Sequence, residues 1–168
     1  TVPPLSLLLR HTYRTKDETA QEKVVLQLRN MAAGGIYDHL GGGFHRYSVD
    51  GQWLIPHFEK MLYDNAQLVR IYLDGWRLTK EARFRQVVEE TLEWTRRAMA
   101  HADGAFYAAQ DADSEGEEGR FFVWDPAEIQ AVLGQELGET FCRAYGVTDG
   151  GNFEGKTVLN RLGDTGLS

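Results

Sequence analysis

Helix-forming segments in this chain are joined by links that alternate short and long, and that alternation limits what the chain can fold into. Apolar residues recur at helical spacing through 3–13 (Leu5, Leu8, Leu9) and 18–33 (Val24, Val25, Leu28, Met31). The period returns through 57–78 (Phe58, Met61, Leu62, Val69, Tyr72, Trp76) and 82–100 (Phe84, Val87, Val88, Trp94). Asp17 reads as an N-cap for the second segment, and Gly34-Gly35 as its stop. Asp125, Pro126 and Glu128 predict a capping box with proline at the first helical position; a last helix follows over about 136–145. Helices joined by short links are antiparallel neighbours as a rule. If that order holds, the long connections, up to 56, over 101–124 and from 146 onward, all emerge at one end. The expectation is an all-α array of about six helices whose extra length, and hence whose function, sits on one face.

The long connections carry the chemistry. "FHRYSVDGQWLI" predicts a β-hairpin near 44–55, with Asp50-Gly51 as a type I′ turn. "GAFYAAQDADSEGEEGRFFVW" predicts a second, with arms 105–110 and 120–124 and an acidic tip. Asp111, Asp113, Glu115 and Gly116 match the first half of a calcium loop, but Phe122 stands where the bidentate glutamate belongs, so the tip reads as a solvated acidic turn. No His-x-x-x-His or cysteine pair supports zinc at His39, His45 and His57; a buried, hydrogen-bonded histidine is the commoner state. No metal and no cofactor is expected, and the glycine run 41–43 lacks the spacing of a phosphate loop. In "PHFEKMLYDNA" His57 and Glu59 open a helix, and Lys60 with Asp64 reads as an i,i+4 pair. Trp53, Phe58, Tyr63, Phe106 and Tyr107 suit either a core or a sugar-binding groove.

The net charge of −7 over 168 residues argues against nucleic acid and anionic membrane as partners. No apolar run approaches the roughly 18 residues of a membrane span. A single cysteine, Cys142, permits no internal disulfide and fits a packed thiol in a reducing cytoplasm. The opening "TVPPLSLLLR", without Met, reads as the start of a piece of something longer.

"MAAGGIYDHLGGGFHRYSVDGQWLIPHFEKMLYDNAQL", then "GAFYAAQDADSEG", "GRFFVW" and "GNFEGKTVL", closely resemble the spermatogenesis-associated protein 20 family, whose bacterial members are called thioredoxin-domain-containing or YyaL-like. The resemblance covers nearly the whole chain in order. It implies a thioredoxin-like domain upstream and places residues 1–168 in the first half of an (α/α)6 toroid of the six-hairpin glycosidase class, about three helical hairpins of six, with two small β-hairpins on the functional face. That toroid is similar to those of N-acylglucosamine and cellobiose 2-epimerases. By this likeness Trp53, His57 and Glu59 map to the pocket, while further catalytic histidines lie beyond Ser168.

Three functions are then open. A sugar epimerase or isomerase would use His57 as proton shuttle, Arg46 as anion stabiliser and Glu59 as orienter. A glycoside hydrolase would pair Asp111 or Asp113 with Glu59 or Asp64 at about 5 to 9.5 Å. A non-catalytic module would present a sugar or client to the thioredoxin-like domain. Substrate contacts fall to His45, Tyr47, Trp53, Tyr63, Asp64, Asn65 and Tyr107. The expected partners are a small carbohydrate and the thioredoxin-like domain. Self-association is also expected, through Leu5, Leu8, Leu9, Leu159 and Leu162 left uncovered by the missing half.

Overall fold

A computed structural model describes residues 2–163. Among the described residues six α-helices form: α1 (Val2–Thr15), α2 (Glu18–Ala33), α3 (Leu62–Thr79), α4 (Ala82–Trp94), α5 (Pro126–Leu133) and α6 (Gln135–Ala144). The pairs α1–α2, α3–α4 and α5–α6 pack together, and α1 also meets α3 while α2 meets α4. The caps are the ones the sequence announces. Asp17 accepts from the Ala20 N–H, and Asp125 and Glu128 form a reciprocal capping box ahead of Pro126. Leu28, Met31, Ile71, Tyr72, Phe84 and Val87 build the main core between α1 and α4. Full burial of each such side chain contributes roughly 1.5–3 kcal/mol. The Tyr72 hydroxyl satisfies itself on the Leu28 carbonyl at 2.8 Å. A smaller cluster of Ile129, Val147 and Leu159 holds α5, α6 and the tail, with the half-buried Cys142 thiol packed against it.

Among the described residues the long connections carry four antiparallel ladders of two residues per strand, two within a connection and two between connections. Strand β1 (Tyr47–Ser48) pairs with β2 (Pro56–His57) inside the first connection, and β5 (Asp113–Ser114) with β6 (Glu117–Glu118) inside the second. Strand β3 (Lys60–Met61) joins the first connection to β4 (Ala109–Gln110) of the second. Strand β7 (Val123–Trp124) joins the second to β8 (Thr157–Val158) of the tail. The Arg161 N–H closes the circuit on the Ala33 carbonyl at 2.7 Å. The loops therefore share one face, as the link lengths require.

Several local expectations are corrected. The arms 105–110 and 120–124 do not pair with each other; only the tip does, while the arms take partners in other loops and stack Phe122 on the fully buried Phe58. Residues 50–51 make no tight I′ turn. The Asp50 carboxylate instead accepts N–H groups from Gln52 (2.5 Å), Leu54 (3.2 Å) and Ile55 (2.5 Å), and the positive φ of +63° falls on Trp53. A side chain that caps three amides outcompetes the two-residue turn. Helix α3 starts at Leu62 rather than 57, because 56–57 and 60–61 are held in ladders. The segment read as helix to residue 100 ends in a π-helical turn, Thr95–Met99. Leu5 and Leu159 are buried within the chain itself, so of the five leucines expected at an open face only Leu8 and Leu162 are exposed.

The glycine run 41–43 passes close under α4. A Cβ on Gly42, whose φ is +75°, would stand 2.5 Å from the Glu90 carbonyl oxygen. Gly42→Ala is expected to cost about 2 kcal/mol or more, from backbone strain and the clash together. Gly51, which has open space around it, is the control: Gly51→Ala should stay within about 0.5 kcal/mol. Thermal unfolding of the two variants is the measurement, and equal midpoints would refute the close-approach argument.

Candidate functional site

The β1–β2 ladder sets Tyr47 opposite His57, and their rings stack with centroids 5.1 Å apart. From the tip of the second connection Glu118 reaches back, its Oε1 2.6 Å from His57 Nδ1. A carboxylate only accepts, so Nδ1 carries the proton in this bond. His57 Nε2 is left facing Glu59, 3.9 Å from Oε2. Glu59 is itself held by Arg46, whose Nη1 donates to the same Oε2 at 2.8 Å, while the Arg46 N–H donates to the Glu59 carbonyl at 2.7 Å. The bonded Glu59 carboxylate, with Tyr63 alongside, holds the Arg46 guanidinium above its ordinary value. Burial pushes the Asp64 carboxyl up, and Arg46 nearby opposes it. Arg46, Tyr47, His57, Glu59, Tyr63 and Asp64 thus form one half-exposed group, with Glu118 as the member the sequence did not single out. Its only signal was membership of an acidic tip opposite the first hairpin.

The other expected residues lie around this group in different roles. Asp113 faces Glu118 across the β5–β6 ladder, and its N–H donates to the Asp111 carboxylate at 3.1 Å. Asp111 follows directly on the Lys60–Gln110 pair. Among the described residues no ion pair links either aspartate to His57, Glu59 or Arg46. Asn65 is a buried latch: it accepts from the Phe44 N–H (2.7 Å) and donates to the Phe44 and Met61 carbonyls (2.9 and 3.0 Å). Trp53 packs on the main core, and the Tyr107 ring meets His101 at 5.6 Å. His45 turns the opposite way from Arg46, into the protein, where Nδ1 donates to the Phe58 carbonyl at 2.9 Å.

Beneath the group lies a charge pair. Lys60 is 1% exposed, and its Nζ stands 2.6 Å from Asp38 Oδ2 and 2.9 Å from the Gly42 carbonyl, capped by the faces of Trp94 and Phe122. The i,i+4 pairing of Lys60 with Asp64 is therefore not made: Lys60 sits in a strand, where residue 64 is not its neighbour. Burial raises the Asp38 carboxyl, but Lys60 and the Gly41 N–H outweigh it and hold Asp38 below the ordinary carboxylate value. Burial also lowers Lys60, with Asp38 opposing. Beside this pair, burial pushes His39 down to about 4 and His45 down to about 3. Tyr37 bonds its hydroxyl to the Glu90 carboxylate, and burial drives its pKa far up. The first connection, through Asp38, His39, Leu40 and His45 among others, lines one side of a cavity of about 760 Å³, and the second connection, α5 and the tail line the rest. Among the described residues no group of three or more His, Cys, Asp or Glu side chains is placed to hold a metal ion, and no helix is long and apolar enough to cross a membrane.

No family model matches the chain. Spermatogenesis-associated protein 20 of Homo sapiens is 39% identical over 162 residues, covering 88% of this chain and 21% of that protein. The Mus musculus protein of the same name is 38% identical over 162 residues, covering 88% and 20%. An uncharacterized protein of Caenorhabditis elegans is 39% identical over 175 residues, covering 88% and 24%. The chain spans about a fifth of the length of these curated relatives. Over the segment it shares with them, the chain belongs to the spermatogenesis-associated protein 20 family.

Proposed function

We propose that these residues form part of a carbohydrate-active domain, the first half of an (α/α)6 toroid, that moves a proton next to a sugar carbonyl in the manner of an epimerase or isomerase. The observation that carries the reading is the His57–Glu118 pair. Glu118 fixes the tautomer in which Nδ1 is protonated, so that Nε2 holds the free electron pair and can accept a proton from carbon. The same carboxylate stabilises the imidazolium that results. Arg46 stands within reach of the same space through Glu59 and offers its guanidinium to the enediolate oxygen. Tyr47, stacked on His57, gives the sugar an aromatic face. Returning the proton to the opposite face needs a second acid. Asp64, its carboxyl raised, is one candidate, and the remainder of the toroid would supply others. The single free thiol, Cys142, fits the cytoplasmic setting included in the proposal.

The test is incubation of the natural full-length protein with a panel of reducing sugars in deuterated water, read by NMR at the carbon next to the carbonyl. Deuterium should enter at least one sugar. His57→Asn and Glu118→Gln should each slow entry by about 10²-fold or more. Wild-type protein that exchanges no sugar proton would sink the catalytic reading. A binding module serving a thioredoxin-like domain is the second reading. It is favoured by one observation: of the expected residues only His45 lines the 760 Å³ cavity.

A further inference from the structure

We infer that the 760 Å³ cavity is a binding site for a neutral small molecule that combines an apolar face with hydroxyl or amide donor groups, separate from the His57 group. The walls set the class. Phe121, Phe122, Trp124, Val132 and Leu40 make the lining mainly apolar, and Phe121 and Val132 at its edge are 69% and 76% exposed. A cavity of this size and character, with a few polar groups aimed inward, is what small-molecule sites look like. The charges on the wall are already matched. Asp38 holds Lys60 at 2.6 Å, Glu115 holds Arg120 at 3.0 Å and Glu128 holds Lys156 at 2.6 Å. A charged ligand would have to displace one of these partners, so a neutral one is favoured.

The polar groups left over are acceptors. His45 spends its Nδ1–H on the Phe58 carbonyl, which leaves Nε2 as a bare lone pair on a ring that is 2% exposed and lines the cavity. His39 spends its Nε2–H on the Gly34 carbonyl at 3.0 Å, which leaves Nδ1. Both rings stay neutral near pH 7, since burial holds them well below it. Two acceptors without matching donors call for a ligand that brings donors. The Ser114 hydroxyl, buried in the same wall without a hydrogen-bond partner, is a third polar atom short of one. His45 and Arg46 are successive residues that face opposite ways, which keeps this cavity apart from the proposed proton-transfer group.

The probe is 3-phenoxy-1,2-propanediol, a neutral aromatic carrying two hydroxyl donors, with anisole and phenyl phosphate as comparisons. Saturation-transfer NMR on the wild-type protein should show the diol binding more tightly than either. Phe121→Ala and Val132→Trp change exposed side chains, and each should weaken the diol roughly tenfold. His57→Asn should leave its binding unchanged, whatever becomes of sugar exchange. No detectable diol binding would overturn the inference. So would phenyl phosphate binding as tightly as the diol, unchanged affinity in both mouth variants, or loss of binding in His57→Asn.

Discussion

Asp38→Ala is expected to destabilise the protein by about 3–5 kcal/mol, the cost of leaving a buried ammonium without its counter-charge. Lys60 has nowhere to take its charge: it is 1% exposed, flanked by Trp94 and Phe122, and its remaining oxygen contact is the Gly42 carbonyl. The loss should show as a lower urea midpoint with an unchanged slope. Removing both charges, as Asp38→Leu with Lys60→Met, should recover most of it, because two apolar side chains carry no desolvation penalty. If the single variant loses less than about 1 kcal/mol, the buried pair does not organise this face. If the double variant is as unstable as the single one, the Asp38 bonds to the Leu40 and Gly41 N–H groups matter more than the pair.

The second large effect is acid lability that begins near neutrality. His39 and His45 are neutral in the fold, with pKa values held down to about 4 and about 3 by burial. In the unfolded chain both return to about 6.5. Folded values below unfolded ones mean that the unfolded state takes up protons first as pH falls. Their contribution is therefore complete above pH 6.5 and is lost as pH drops through 6 and 5 toward the folded values. The slope for each histidine rises toward its limit of about 1.4 kcal/mol per pH unit once the pH is well below 6.5. Asp38, held below its ordinary value, adds to the loss only below about pH 4. Unfolding free energy measured between pH 7.5 and 4.5 should fall steeply over that range, and His39→Gln should flatten part of the fall. A curve level down to pH 5 would mean that water reaches both rings.

What was legible in the sequence was whatever is decided locally. Helix α2 runs over Glu18–Ala33 as its period, its Asp17 cap and its glycine stop require, and the box at Asp125 and Glu128 forms as spelled. The alternation of link lengths correctly put the loops on one face. What was not legible was who pairs with whom across that face. Residues 105–110 and 120–124 look like two arms of one hairpin, and only long-range packing, with the partly buried Phe122 stacked on the buried Phe58, decides otherwise. Lys60 beside Asp64 has the spacing of a surface pair; nothing in the string of letters shows that the backbone there is extended and turns Lys60 toward Asp38. Glu118 was hidden for the same reason. It is one carboxylate among several in an acidic tip, and its partner His57 is 61 residues away.

The ladders that stitch the loops together bear on the order in which the molecule assembles. Helix pairs α1–α2, α3–α4 and α5–α6 join neighbours in sequence, so each can close early at small entropic cost. The β3–β4 and β7–β8 ladders bridge distant segments with two residues per strand, too few to hold before the helices have brought them together. Such pairings come late in folding and open first under strain. A chain caught part-way would therefore already have its helical hairpins and still lack the contact between His57 and Glu118.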